Sequence, residues 1–109
     1  MDPTTITTDA PVVTLINVFT VEADRQRELV DVLVRATDEV MRYLPGFVSA
    51  NIHASDDGTR VVNYAQWQSA DAYRAMLGNQ TAQVHMHEAA ALAEQFDPHL
   101  YTVESTHHR

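Results

Sequence analysis

Two alternating runs, Phe47 to Ala54 (FVSANIHA) and Arg60 to Trp67 (RVVNYAQW), flank the turn residues Asp56, Asp57 and Gly58, and this pairing constrains the fold more than any other feature of the chain. Asp and Gly together supply the backbone freedom of a hairpin turn, so the two runs are predicted to be antiparallel neighbours. Side chains alternate across a strand, which groups Phe47, Ser49, Asn51 and His53 on one face and Val48, Ala50, Ile52 and Ala54 on the other. The second group is apolar and belongs against a core. A two-stranded ribbon is marginal in water, so the rest of the chain has to supply more strands and a covering layer.

The flanking segments read accordingly. Val12 to Thr20 (VVTLINVFT) is dense in β-branched and aromatic residues, as a buried strand is. Glu22 to Leu44 places Leu29, Val32, Leu33, Ala36, Val40, Tyr43 and Leu44 at spacings of three and four, one face of a long helix that Pro45 and Gly46 stop. Ser69 is an N-cap for a short helix to Leu77, ended by Gly78 and Asn79. Thr81 to Phe96, carrying Val84, Ala91, Leu92 and Phe96, reads as a further helix broken by Asp97 and Pro98, and Leu100 to Glu104 as a last strand.

The resulting order is βαββαβ, an α+β ferredoxin-like arrangement in which four antiparallel strands carry helices on one face. The opposite face is left open, and two copies pressing these faces together would form a dimeric α+β barrel. With 109 residues there is room for one core. The domain is predicted over residues 12–105, with a frayed leader at 1–11 and a flexible tail at 106–109.

Charge and composition narrow the function. A formal net charge of -8 opposes nucleic-acid backbones and anionic membranes, which demand clustered Lys and Arg. The absence of cysteine removes disulfides, thiolate nucleophiles and Cys-based metal sites. No run approaches the roughly 18 apolar residues of a membrane span, and the first residues resemble no secretory signal, so the cytoplasm is the expected location. The three glycines form no phosphate-binding loop, and no GxSxG elbow occurs.

Within the hairpin, Asn63, Ala65 and Trp67 share one side. A carboxamide and an indole with a small residue between them suit a planar aromatic ligand: a stacking face, an N–H donor, an amide and space. The same spacing also suits a core tryptophan beside a satisfied amide. His53, across the turn, is expected to reach the same space and to act as a base near neutral pH. Tyr73, opening the next helix, is placed to close the pocket. His85 and His87 are two apart and do not share a helix face, so they read as solvated or pocket-edge residues, with no metal site.

The run HASDDGTRVVNYAQWQSADAYR, His53 to Arg74, resembles the antibiotic biosynthesis monooxygenases, in particular the cofactor-independent oxygenases of aromatic polyketide pathways such as actinorhodin; Pro45-Gly46-Phe47 after an amphipathic helix is also common there. The resemblance implies a homodimeric ferredoxin-like barrel that oxidises a polycyclic phenol or anthrone to a quinone with O2, using no flavin, haem or metal. His53, Asn63 and Trp67 are the implied catalytic residues, and Tyr73, His87, Ala65 and Asn17 the implied substrate contacts. His87 stands where the actinorhodin-type pocket has an arginine. The implied chemistry is deprotonation, electron transfer from the anion to O2, and loss of water from a peroxide. Two other readings stay open: a haem-degrading enzyme of the same fold, using Asn17 with His85 or His87, and a non-catalytic binding module, since a fold does not fix a function.

Overall fold

The computed structural model describes residues 3–109; Met1 and Asp2, the start of the predicted leader, lie outside the described residues. Four strands, β1 (Val13–Thr20), β2 (Phe47–Ala54), β3 (Arg60–Trp67) and β4 (Gln95–Tyr101), form one antiparallel sheet in the order β2-β3-β1-β4. Three helices, α1 (Gln26–Glu39), α2 (Ala70–Leu77) and α3 (Gln80–Leu92), complete the ferredoxin-like α+β fold. No helix among the described residues is long and apolar enough to cross a membrane.

Strand periodicity sends Leu15 and Phe19 of β1, Val61, Ala65 and Trp67 of β3 and Ala50 and Ile52 of β2 into the core. Helix α1 meets them with Leu29, Val32 and Ala36, and Leu29 and Val61 are completely buried. Burying a side chain of that size contributes about 1.5–3 kcal/mol. The packed residues form two clusters rather than one: Phe19, Val21, Leu29, Val30, Val32, Val61 and Ala89 at one end, Leu15, Ala65, Trp67, Met76 and Ala82 at the other.

The long helix predicted over Glu22 to Leu44 is instead a helix with a 3₁₀ turn at each end, Ala23–Arg25 and Met41–Tyr43. Strand β2 does not alternate strictly. A bulge between Phe47 and Ser49 turns Phe47 to the core side, where its ring meets Trp67 edge-on at 5.5 Å. The last strand starts earlier than predicted, at Gln95, and passes through Asp97 and Pro98. Pro98 has no N–H to donate, which an edge strand tolerates, and Asn17 Oδ1 accepts the Asp97 N–H at 3.2 Å. Helix α3 stops at Leu92 accordingly, and its core stripe is Ala82, Met86 and Ala89; Val84 faces solvent.

The open sheet face is partly covered from the described leader. Thr4 Oγ1 donates to Asn51 Oδ1 at 2.8 Å, and Gln66 Nε2 donates to the Thr5 carbonyl at 2.8 Å. Gln66 is buried on this face, its Oε1 accepting from Ser49 Oγ at 2.7 Å. The described part of the segment expected to fray is thus tied to β2 and β3 at both of these points.

Candidate active site

Local sequence signals fix the walls of the site. Gly46, at φ +85°, makes the turn into β2 and accepts a hydrogen bond from the Gln68 N–H at 2.7 Å, which clamps the start of β2 to the end of β3. Ser69 then caps α2, its Oγ accepting from the Ala72 N–H at 3.0 Å, and Tyr73 follows on the first turns. That sequence of turn, cap and helix sets the Tyr73 ring against Trp67, centroids 6.4 Å apart. Asn79 caps α3 in the same way, accepting from the Ala82 N–H at 2.9 Å. The inner stripe of α3 consequently turns His85 and Met86 toward the sheet.

Between the two core clusters lies a cavity of about 260 Å³. The sheet floor is Asn17, Asn63, Ala65 and Trp67, and the helical roof includes Tyr73, Met76, His85 and His87. Five alanines, Ala36, Ala50, Ala65, Ala89 and Ala90, leave much of the space, and three methionines, Met41, Met76 and Met86, supply deformable walls. Among the described residues, no carboxylate, lysine or arginine lines it. Its volume lies just below the roughly 300–1,000 Å³ of typical ligand pockets.

Buried polar atoms almost always find a partner, and leaving one unpaired costs about 1–3 kcal/mol. Among the described residues, three buried side-chain atoms have none: Asn63 Oδ1, Trp67 Nε1 and His85 Nδ1. All three residues line this one cavity. Trp67 is only 2% exposed, so its N–H is shielded from bulk water. An N–H donor, an amide oxygen and an imidazole nitrogen, none of them satisfied, therefore belong to residues gathered around one apolar space. Tyr73 adds a hydroxyl whose pKa burial pushes up from the usual value, keeping it protonated and able to donate.

Asn63, Trp67, Ala65, Tyr73, His87 and Asn17, all expected in the pocket, line the cavity together. His53 does not. The hairpin register sets Ile52 opposite Asn63 and His53 opposite Val62, so the His53 side chain projects from the other face of the sheet. There it is exposed, and its Nδ1 lies 3.2 Å from the Asn51 carbonyl. The residue that sequence reasoning undervalued is His85. Its signal was the spacing 82, 85, 86, 89 on α3, an inner helical stripe on which the histidine falls between Ala82 and Ala89.

Known proteins with this geometry agree in kind. The sequence pattern of the antibiotic biosynthesis monooxygenases matches residues 12–91. Over 81 residues the chain is 49% identical to the tetracenomycin-F1 monooxygenase of Streptomyces glaucescens, covering 74% of this chain and 72% of that protein. Among solved structures, SnoaB, a cofactor-independent oxygenase from Streptomyces nogalater, superposes with a TM-score of 0.78 at 31% identity, over 89% of this chain and 97% of SnoaB. The monooxygenase from the gene ActVA-Orf6 of Streptomyces coelicolor, solved in complex with Nanaomycin D, gives a TM-score of 0.76 at 32% identity, over 89% of this chain and 91% of that one. A family pattern that runs from β1 to the end of α3, around the cavity and its unpaired polar atoms, makes this chain a member of the antibiotic biosynthesis monooxygenase family.

Proposed function

We propose that this protein is a cofactor-independent monooxygenase that oxidises a polycyclic aromatic phenol or anthrone to a quinone with O2, in aromatic polyketide biosynthesis. The observation that carries the reading is the set of unpaired polar atoms around an apolar slot. A flat, oxygenated ring system satisfies both requirements at once. It buries its faces against Ala65 and the methionines, its oxygens accept from the Trp67 N–H and the Asn63 Nδ2–H₂, and a ring hydroxyl donates to the unpaired Asn63 Oδ1. The names of the relatives favour the same class of substrate: one is a tetracenomycin-F1 monooxygenase, and another was solved with Nanaomycin D.

Hydrogen bonds to a charged group are worth about 1.5–3 kcal/mol each, so Trp67 and Asn63 stabilise the ring anion more than the neutral phenol. The anion passes one electron to O2, the radical and superoxide join, and the peroxide loses water. Tyr73 and His87 hold the outer edge of the ring system, and Asn17, its Oδ1 committed to β4, keeps its amide N–H₂ for the substrate. His53 has no part in this scheme. The open sheet face, with Ile16, Val18 and Val62 only half-buried, supports a homodimer, and the cytoplasm is its proposed location.

The test is oxygen uptake with the anthrone dithranol by the wild type, Asn63→Ala and Trp67→Phe. A loss of about 10-fold or more in each variant is expected. Wild-type rates in both variants would remove the assignment. A histidine in the cavity lining is also what a haem ligand would require, so haemin titration of the protein is the companion experiment; a Soret shift with one-to-one stoichiometry would favour haem chemistry instead.

A further inference from the structure

The oxidation begins with removal of a proton from the ring system, and the sheet register takes the expected base, His53, out of reach. Among the described residues that line the cavity, three carry an ionisable side chain: Tyr73 from α2, and His85 and His87 from α3. The lining residues of α1 and of the four strands carry no titratable group. Outside the lining, Arg35 of α1 and Glu88 of α3 flank the lining residues Ala36 and Ala89 and pair with each other at 3.4 Å, half exposed, and Asp97 of β4, between the lining residues Phe96 and Pro98, pairs with His99 at 2.7 Å. Tyr73 is held protonated by its burial, and a neutral phenol is a poor base. His87 sits on the exposed side of α3 at the cavity rim. His85 alone combines a place in the cavity lining with a buried, unpartnered ring nitrogen.

We infer that His85 is the general base and acid of the reaction, its Nδ1 taking the substrate proton inside the cavity. This rests on the oxygenase reading above and adds the group that moves the protons. With Nε2 carrying the hydrogen, Nδ1 of a neutral imidazole has a free lone pair and accepts a proton without rearrangement. Helix α3 brings it from the roof, opposite the strand that carries Asn63 and Trp67 on the floor. The substrate is thus deprotonated from one side and its anion hydrogen-bonded from the other.

The proton balance closes on the same atom. A C–H bond at the reactive methylene of an anthrone breaks; its proton goes to His85 Nδ1 and the electron pair stays on the ring system. The anion gives one electron to O2, and the radical and superoxide form a carbon–oxygen bond. Nδ1 returns its proton to the peroxide anion. As the O–O bond breaks, Nδ1 takes the remaining hydrogen of that carbon as a proton and delivers it to the departing hydroxide. The sum is R2CH2 + O2 giving R2CO + H2O, with the histidine restored.

The experiment uses the full chain, with dithranol as the probe. Trp67 is the only tryptophan, so quenching of its fluorescence without oxygen reports binding, and oxygen uptake reports turnover. His85→Asn keeps a polar atom near the Nδ1 position but no basicity. It is expected to bind dithranol within about threefold of wild type and to lose roughly 10²–10⁴-fold in kcat below the pH at which dithranol ionises in solution. The gap should narrow above that pH, because the anion then arrives ready-made, and added imidazole should restore part of the rate to His85→Ala. His53→Ala is expected to match wild type throughout. A kcat in His85→Asn or His85→Ala within threefold of wild type at low pH, or a loss that stays constant with pH and ignores imidazole, overturns the assignment while leaving the oxygenase reading intact. A wild type that neither quenches nor consumes oxygen overturns both.

Discussion

Replacing Asn63 by leucine separates stability from activity in a way the structure makes quantitative. The Asn63 Oδ1 is buried without a partner, and an unpaired buried acceptor costs about 1–3 kcal/mol. Leucine has nearly the same size, removes that cost, and adds apolar contact beside Ile52, its neighbour across the hairpin. Asn63→Leu should therefore be more stable than wild type by about 1–2 kcal/mol. For a domain of this size each kcal/mol moves the midpoint by roughly 4–8 °C, so a rise of about 5 °C or more is expected in a ligand-free thermal melt. Activity moves the other way: losing the carboxamide's bond to the ring anion costs about 1.5–3 kcal/mol, roughly 10- to 150-fold in kcat/KM for dithranol oxidation. Adding ligand to the melt should narrow the gap, since a concentration of 100 times the wild-type Kd stabilises wild type by about 2.7 kcal/mol and a variant that binds tenfold more weakly by about 1.4 kcal/mol. A variant that melts below wild type without ligand, or one that keeps wild-type kcat/KM, would refute the reasoning.

Three further outcomes follow from other parts of the molecule. His53→Ala should change kcat/KM by no more than about twofold, because the side chain is exposed on the far face of the sheet; a tenfold loss in steady-state oxygen uptake would show that the register argument misplaces it. Asp57 lies in the hairpin loop, where the Thr59 N–H, the Thr59 hydroxyl and the Ser55 hydroxyl hold its pKa at about 2, below the ordinary 3.8. A depressed carboxylate stabilises the fold above its unfolded pKa and loses that effect as pH falls, so the melting-temperature gap between wild type and Asp57→Ala should be full at pH 6 and close between about pH 4 and pH 2. Gly46→Ala places a Cβ onto the Ala72 side chain at a positive φ, and should cost about 2 kcal/mol or more in chemical denaturation; a neutral result would mean the Gly46–Gln68 clamp yields easily.

The element order was legible because each signal was local: the Asp57-Gly58 turn, the Pro45-Gly46 stop, the Ser69 cap and the apolar spacing of α1. The face shared by Asn63, Ala65 and Trp67 was legible for the same reason, since period two needs only one strand. What depended on two strands was not. Whether Ile52 or His53 stands opposite Asn63 is set by the length of the hairpin loop, and the bulge that moves Phe47 to the core side leaves no mark in a run of alternating residues. Asp97 and Pro98 read as a breaker, yet on an edge strand the missing N–H of Pro98 is harmless and Asn17 receives the preceding one. His85 is readable from the helical phase of α3, whereas the resemblance carries a role only onto His87.

The space in the site is made by five alanines, with strand and helix backbones in their ordinary places. A hollow of that kind is adjustable from within. Lengthening one of these side chains shortens the slot at one end, and trimming Met41 or Met86 opens it at another, while the cross-strand pairing and the cap residues stay as they are. Descendants of such a scaffold can therefore exchange one ring skeleton for another by single replacements, with the oxygen chemistry carried along unchanged.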